Sequence, residues 1–373
     1  MNKLEKNMLH AILDKDQEST LSHFEAWANS IHFDEIEGGS YRLVPLLYKK
    51  VSNLQSDFPL KSRMKGVYRY FLFDNQMLMH KSMEVLDALQ EAKIDYMLLK
   101  GAALIASYYE SPALRPMNDL DILVKREDAQ RTFELLNAMG WENPFGRIFQ
   151  QSFQTTYSYA LRKPNQIELD LHWNVIYQVA WEGSEQAYWQ EGESAQFANH
   201  TVSILKPEMQ LLHNLAHGLR YNAMSAIRWI PDVMLIIEIR KDDFDWDHLL
   251  ALAQERRLVY TLRYGMVLLA EEFGAEIPES FMTDLKAIPI SKAEKKLHQV
   301  MNQRSRFSMF KAHWQIYMIS SANKPYWKRM MGLPYYLKSL IACETYREAF
   351  TFIMRKLVKH AKKPAKKISE PET

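Results

Sequence analysis

The chain has 373 residues, of which 47% are hydrophobic and 25% charged, and a formal net charge of +2, which together predict a globular protein of two or three domains. Its single cysteine, Cys343, excludes an intrachain disulfide framework. The opening stretch "MNKLEKNMLH" lacks the apolar core of a signal peptide, and no apolar run approaches the roughly 20 residues that span a bilayer, so we expect a cytoplasmic protein without a transmembrane helix.

Residues 1–90 form the first predicted region, and their pattern is helical. The chain has only 12 glycines and many Leu, Met, Lys and Glu residues, a composition that favours helices. In the stretch 58–94, tyrosine, phenylalanine, leucine and methionine recur at helical spacing. The pattern changes at Ile94, so we expect an N-terminal helical region that ends near residue 90.

Residues 91–205 form the second predicted region, in which short strands alternate with helices. "DYMLLKG" has the pattern of a strand that ends in a glycine, "AALIASYY" that of a short helix, and "LDILV" that of a second strand. "EDAQRTFELLNAMGW" predicts a helix that Gly140 stops, and "QIELDLHWNV" predicts a third strand. A polar stretch follows to about residue 200. This alternation predicts a sheet-containing core between helical regions.

Residues 206–355 form a predicted C-terminal helical domain. "TVSILKPEMQLLHNLAHGL" predicts a short strand and then a helix that begins at Pro207 and Glu208. Residues 356–373 are predicted to form a basic, flexible tail, since the stretch 355–373 contains seven lysines or arginines and two glutamates. We interpret the tail as a solvated helix end, with binding to an anionic partner as the weaker alternative.

Two aspartates at the start of the second strand are the first candidate for a functional site. Asp119 and Asp121 lie two residues apart in "LRPMNDLDILVKRED", so their side chains share one face of the strand. In "IELDLHW", Glu168, Asp170 and His172 share a face opposite the apolar residues. If the two strands are neighbours in one sheet, Asp170 joins the aspartate pair in a three-carboxylate cluster. Such a cluster suits a hard divalent cation such as Mg²⁺.

A phosphate site is predicted beside these carboxylates. Gly101 follows a strand and opens a helix, where backbone N–H groups and the helix dipole favour phosphate. Lys100 and Arg115 add positive charge, although Lys100 could equally be a solvated charge and Arg115 a structural partner of one of the aspartates. Phosphate cradle, metal-binding carboxylates and cations together indicate phosphoryl or nucleotidyl transfer.

These sequence blocks also resemble a known family. The order of "KGAAL", "RPMNDLDILV", "IELDLHW" and "LLHNLAHGLR…RWIPDVMLII" is similar to that of the uncharacterised nucleotidyltransferase family of the polymerase-β-like superfamily, over about residues 30–240. The resemblance implies a helix-rich α+β fold, with a small mixed-sheet core flanked by N- and C-terminal helical regions. It also implies an enzyme that moves a nucleoside monophosphate from a nucleoside triphosphate, such as ATP, to an unknown acceptor hydroxyl or phosphate.

The resemblance implies roles for the carboxylates and for the residues near the first glycine. Asp119 and Asp121 would bind two Mg²⁺ ions, with Mn²⁺ as an alternative. Asp170 would bind the catalytic metal and contact the attacking hydroxyl. The nucleotide would be bound by Lys100, Gly101, Ala102 and Arg115.

Two alternative functions stay open at this point. Ala102 stands where a serine or glycine often follows the first glycine, so a hydroxyl contact to phosphate is missing. The main rival is therefore a catalytically degenerate nucleotide-binding or scaffold protein of the same fold. A toxin-like transferase acting on tRNA or protein shares the chemistry and differs in its acceptor, which could be a small molecule, a protein or RNA.

Other motifs have weaker interpretations. "GGS" at 38–40 is similar to a phosphate-binding glycine pair, but no aspartate pair follows it, and we interpret it as a loop before a helix. His213 and His217 have the i, i+4 spacing of zinc ligands, but the glutamate of the zinc-protease motif and an obvious third ligand are missing. Asp232 is spaced to pair with Arg228 on a helix surface.

Overall fold

The structure is a computed structural model that describes residues 1–153, 156–176, 185–219, 227–302, 308–321, 324–340, 345–351 and 354.

The N-terminal part of the chain is helical, as predicted. Its first helix has a reciprocal cap, in which the Asn2 side chain accepts a hydrogen bond from the N–H of Glu5 and the Glu5 carboxylate accepts one from the N–H of Asn2. The first helices are α1 (Lys3–Leu13), α2 (Gln17–Ala28), α3 (Gly38–Tyr41), α4 (Val44–Leu54) and α5 (Lys61–Glu91).

A mixed sheet follows these helices. Its strands are β1 (Tyr96–Leu98), β2 (Asp119–Val124), β3 (Ser158–Arg162), β4 (Glu168–His172), β5 (Glu193–Phe197) and β6 (His200–Ile204). Their order in the sheet is β3-β4-β2-β1-β6-β5. The pairs β2–β4 and β1–β6 are parallel, and the other neighbours are antiparallel. The predicted neighbourhood of "DLDIL" and "IELDLHW" is therefore confirmed.

The two faces of the sheet pack in different hydrophobic clusters. Leu120, Ile122 and Val124 of β2 share one face and pack in a cluster with the second half of α5. Leu123 points to the opposite face and packs in a cluster with N-terminal and C-terminal helices. Asp119 and Asp121 alternate with the first set, so they share the face of Leu123. The helices between the strands are α6 (Lys100–Ser107), α7 (Ala129–Ala138), α8 (Phe149–Phe153) and α9 (Gln186–Gln190).

The two edge strands, β3 and β5, were missed in the sequence analysis. β5 lies at an edge of the sheet, and its sequence "ESAQF" is mostly polar, with half-buried and exposed residues alternating before the buried Phe197. β3, "SYALR", ends in an exposed arginine. The inner strands β1, β2, β4 and β6 carry the apolar signal and were predicted.

The C-terminal part of the chain is also helical. Pro207 is the first residue of α10, as predicted. Met8 of α1 and Leu47 of α4 belong to the same hydrophobic cluster as residues of the C-terminal helices, so both helical regions pack against the same face of the sheet. The boundaries between predicted domains stay predictions. The C-terminal helices are α10 (Pro207–Gly218), α11 (Trp229–Ile239), α12 (Trp246–Glu255), α13 (Val259–Phe273), α14 (Glu279–Ala287), α15 (Lys292–Asn302), α16 (Ser308–Ser320) and α17 (Tyr326–Leu340).

Two sequence predictions concern the membrane and the end of the chain. Across the ranges that the structure describes, every helix is too short or too polar to cross a bilayer. The predicted basic tail at 356–373 lies outside the described residues.

A buried asparagine on α5 holds the loop that leads into β2. The Asn75 amide nitrogen donates to the carbonyl oxygens of Pro112, at 2.5 Å, and Arg115, at 2.9 Å. Its amide oxygen accepts from the N–H of Met117 at 3.0 Å. Because Asn75 is fully buried, these backbone groups have a partner that water could not replace.

We predict that Asn75→Ala destabilises the fold by at least about 3 kcal/mol, because three buried backbone groups lose their partner. Urea denaturation measures the change. Gln76→Ala is the matched control, since Gln76 is the exposed neighbour on the same helix and should cost under about 0.5 kcal/mol. Equal costs for the two variants would contradict the assigned role.

Candidate active site

The register of two parallel strands brings candidate carboxylates together. Asp121 of β2 lies beside Asp170 of β4, and Asp119 lies beside Glu168. Since side chains alternate along a strand, these four share one face of the sheet. Potential ligand atoms of Asp121, Asp170 and His172 lie within 4.8 Å of one another. His172, rather than Asp119, is the third member of this group.

Lys100 and His172 both contact Asp121. Lys100 Nζ donates a hydrogen bond to Asp121 Oδ1, and His172 Nε2 lies 2.8 Å from the same oxygen. Burial raises the pKa of Asp121, but the charge of Lys100 and the hydrogen bond from His172 outweigh burial and hold this pKa well below its usual range. For Lys100, burial lowers the pKa, and the charge of Asp121 reverses the effect, so the net shift is upward. Lys100 is therefore the partner of a carboxylate rather than a solvated charge.

Asp119 shows the opposite shift. Burial and the nearby charge of Asp121 raise the pKa of Asp119 to about 6, although Lys100 counteracts this rise. Asp170 adds a smaller upward contribution. The carboxylates thus resist carrying full negative charge at the same time, and a cation between them would remove that repulsion.

A cleft of about 300 Å³ adjoins the carboxylates. Asp119 and Asp121 line it together with Lys100, Gly101 and Arg115, so the cleft brings these predicted residues together. Asp170 stands beside Asp121 in the sheet. Sequence reasoning did not place the other lining residues here, which include Gly38, Gly39, Arg42, Asn214, His217 and Arg228.

The glycine pair at 38–39 has a different role from the one the sequence suggested. We interpreted "GGS" as a loop before a helix, whereas Gly38 begins the short helix α3 and both glycines line the cleft. The glycine signal itself was visible in the sequence. Its proximity to the aspartate pair was not, because the two lie some eighty residues apart along the chain.

The start of α6 packs closely against the loop before β2. A Cβ atom on Gly101 would lie 2.7 Å from Met117 Cγ, so a larger residue there would require the buried Met117 side chain to shift. Lys100 has a φ of +50°, a left-handed conformation that is uncommon for a residue other than glycine and is concentrated at functional sites. Ala102 is buried in the hydrophobic cluster of α5, so any contact it makes with a nucleotide would come from its backbone. The nucleotide-binding roles of Gly101 and Ala102 stay predictions.

Arg115 and Asp232 form an ion pair between the loop before β2 and α11. Arg115 Nε donates to Asp232 Oδ1 at 2.7 Å, and the Tyr109 hydroxyl donates to the same oxygen at 2.7 Å. The expected partner of Asp232 was Arg228, which instead donates to the carbonyl oxygen of Pro116 at 3.1 Å. Arg115 therefore pairs with a helix of the C-terminal region and not with the aspartates of β2.

The two histidines of α10 lie near the cleft. Their ring centroids are 6.3 Å apart, His217 lines the cleft, and His213 is buried. Among the residues described, neither belongs to a group of three potential metal ligands. The described residues therefore offer no third zinc ligand beside His213 and His217.

Comparison with known proteins identifies the class of this protein. Residues 40–274 match the sequence model of a family described as "Uncharacterised nucleotidyltransferase". Together with the helix-rich α+β fold, this match defines a nucleotidyltransferase. The chain belongs to the uncharacterised nucleotidyltransferase family, which confirms the resemblance seen in its motifs.

Several solved structures are similar to this chain, including two nucleotidyltransferase-like proteins. An antigenic nucleotidyltransferase-like protein from Paracoccidioides brasiliensis is 21% identical with a TM-score of 0.33, and the match covers 55% of this chain and 96% of that one. The lincosamide antibiotic adenylyltransferase LnuA, bound to lincomycin, is 17% identical with a TM-score of 0.31, and the match covers 43% and 96%. The comparison with curated proteins gives no match. The family match alone therefore carries the assignment.

We predict that Asp232→Asn destabilises the protein by about 3–5 kcal/mol, because it leaves the buried guanidinium of Arg115 without its counter-charge. Chemical denaturation measures the loss. Glu238→Gln is the matched control, since Glu238 is exposed on the same helix and should change stability by less than about 0.5 kcal/mol. A loss at Asp232 no larger than that of the control would refute the ion pair's structural role.

Proposed function

We propose that the protein transfers a nucleoside monophosphate from a nucleoside triphosphate to an acceptor hydroxyl or phosphate, with a divalent cation as cofactor. The observation that carries this proposal is the register of β2 and β4, which sets Asp121 beside Asp170, with Asp119 on the same face and at the cleft. Carboxylates so arranged suit a hard cation that also contacts substrate phosphates. The family match supports the reaction class.

The residues fit a divalent cation. Asp121 and Asp170 offer oxygen ligands within 4.8 Å of each other, and oxygen is the ligand type that Mg²⁺ and Mn²⁺ prefer. The raised pKa of Asp119 indicates a site with unbalanced negative charge. We assign the cation to Asp119, Asp121 and Asp170, with His172 orienting Asp121 through its hydrogen bond. A cation bound there would neutralise charge on the transferred group.

The nucleotide phosphates are assigned to the start of α6. The backbone N–H groups at Gly101 and the helix dipole favour an anion at this position. Lys100 lines the same cleft, and phosphate oxygens would offer its ammonium group a second partner besides Asp121.

The proposed transfer is a displacement at the α-phosphorus. An acceptor oxygen forms a new bond to the α-phosphorus, the bond from that phosphorus to the bridging oxygen of the β-phosphate breaks, and pyrophosphate leaves. Where the acceptor is a hydroxyl, its proton passes to a base, and we assign this role to the half-buried carboxylate of Asp170.

The second candidate is a catalytically degenerate nucleotide-binding or scaffold protein of the same fold. The ion pair between Lys100 and Asp121 favours it, because that pair occupies one proposed cation ligand. The side chain of Ala102, which has no hydroxyl to contact phosphate, also favours the degenerate or scaffold protein. The cleft beside Asp119 favours the enzyme. A toxin-like transferase acting on tRNA or protein would use the same residues and differ only in its acceptor.

We predict that at least one of ATP, GTP, CTP and UTP binds in a Mg²⁺-dependent manner, and that Asp121→Asn and Asp170→Asn each remove the Mg²⁺-dependent part of the affinity. Both substitutions delete a negative charge without changing side-chain size. Calorimetric titration with and without Mg²⁺ measures binding, and pyrophosphate release should fall at least about 100-fold, a larger loss than removing a residue that only supports a ligand.

Glu168→Gln is the matched control for this experiment. Glu168 lies on β4 two residues before Asp170 and shares its face, but it is exposed and pairs with Arg162 at 3.3 Å. This variant should behave as wild type. Nucleotide binding that needs no Mg²⁺ and survives Asp170→Asn, with no pyrophosphate released, would support the scaffold and overturn the enzyme.

A further inference from the structure

Three arginines from separate parts of the chain line the cleft. Arg42 follows α3, Arg115 lies in the loop before β2, and Arg228 precedes α11. Arg115 Nη1 and Arg228 Nη1 both donate to the carbonyl oxygen of Pro116, at 3.2 and 3.1 Å. Two guanidinium groups of like charge therefore converge on one neutral acceptor.

The carboxylates nearby form an ion pair with only one of these three arginines in the described part of the chain. Asp232 neutralises Arg115, and Asp121 is bound by Lys100. Within the described residues, neither Arg42 nor Arg228 has a carboxylate within 4.0 Å. Burial and the charge of Arg115 lower the pKa of Arg42, and burial together with both other arginines lowers that of Arg228 to about 9. A partly buried cationic cluster of this kind is costly unless an anion joins it.

We propose that Arg42, Arg115 and Arg228 form an anion subsite that binds the β- and γ-phosphates of the nucleoside triphosphate. This inference rests on the proposed function and adds to it the residues that recognise the leaving group. Guanidinium groups bind phosphate oxygens in pairs of parallel hydrogen bonds, and a pyrophosphate group carries several charges within the span of one cleft.

The position of the subsite favours the nucleotide over a phosphorylated acceptor. The charge of Asp119 acts on both Arg42 and Arg228, so the cluster adjoins the carboxylates assigned to the cation. Gly101 lines the same cleft. A triphosphate with its α-phosphate at the carboxylates therefore has its next two phosphates beside the arginines.

The assignment implies selectivity for triphosphates. A nucleoside monophosphate lacks the β- and γ-phosphates assigned to the arginines, so its binding would leave the cationic cluster without the anion proposed for it. A bound triphosphate would instead contact the N-terminal region through Arg42 and the C-terminal region through Arg228.

Titration with inorganic tripolyphosphate in the absence of Mg²⁺ tests the subsite without the base or the cation. Wild type should bind it, and Arg42→Gln and Arg228→Gln should each bind at least tenfold more weakly. Arg63→Gln is the control for loss of one positive charge, since Arg63 is exposed and pairs with Asp34, and it should bind as wild type.

Thermal unfolding without ligand separates an anion subsite from a structural role. Arg42 makes no side-chain hydrogen bond within the described part of the chain, and it is repelled by Arg115. Arg42→Gln should therefore leave the unfolding temperature unchanged or raise it. A lower unfolding temperature together with unchanged tripolyphosphate affinity would make Arg42 a structural residue and overturn the proposal.

Competition with nucleotides identifies the source of the anion. A triphosphate nucleotide should displace tripolyphosphate, and the corresponding monophosphate should not. If tripolyphosphate fails to bind, or if Mg²⁺-dependent nucleotide binding is unaffected in both arginine variants, the subsite assignment fails while the proposed function stands. If tripolyphosphate binding is lost in the arginine variants but no nucleotide competes, the anion belongs to another ligand, and the assignment to the triphosphate is wrong.

Discussion

The parallel register of β2 and β4 sets two carboxylates, those of Asp121 and Asp170, side by side in a sheet with little access to water. The surrounding side chains stabilise this arrangement through contacts with the charge of Asp121. Asp121 is 2% exposed, so its charge depends on partners within the protein. The N–H of Leu99 donates to the carbonyl oxygen of Asp121 at 3.0 Å, which places the next residue, Lys100, beside the carboxylate. His172, on the same face of β4, contacts Asp121 Oδ1, the carboxylate oxygen that also accepts from Lys100. The backbone ladder thus determines which side chains stabilise the charge.

The loop before β2 contacts both helical regions. Asn75 of α5 binds three of its backbone groups, and Met117 packs against Gly101 at the start of α6. Arg115, in the same loop, pairs with Asp232 of α11. A buried ion pair contributes little net stability compared with apolar residues of similar volume, but it is costly to break, so it specifies one position of α11 relative to the loop. The loop therefore joins the strand that carries the aspartates to helices on both sides of it.

The sequence predicted the parts of the site that depend on local periodicity, and it failed where distant segments meet. Alternation within "DLDILV" and "IELDLHW" predicted which face of each strand carries Asp121 and Asp170, and the parallel pairing of the two strands, which the sequence left as a condition, brings them together. β5 was missed because its sequence is mostly polar, and β3 because it is short and contains only two buried apolar residues, Tyr159 and Leu161. The glycine pair at 38–39 was visible in the sequence, but its position at the cleft, like that of Arg42, depends on how the N-terminal helices pack. Asp232 pairs with Arg115 and not with Arg228. The loop before β2 brings Arg115 to α11, and helical spacing within α11 does not predict such a contact between distant segments.

The cleft contains two groups of like charge that each lack full compensation. On the acidic side, burial and then repulsion by Asp121 raise the pKa of Asp119 to about 6, and on the basic side Arg42 and Arg228 repel Arg115. The two groups cannot neutralise each other completely, because Asp121 of the acidic group already pairs with Lys100 and Arg115 of the basic group already pairs with Asp232. A cation alone would relieve only the carboxylates, and a polyphosphate alone only the arginines. With the proposed assignments, a cation bound to a triphosphate would relieve both sides together, so that complex would bind more favourably than either component alone.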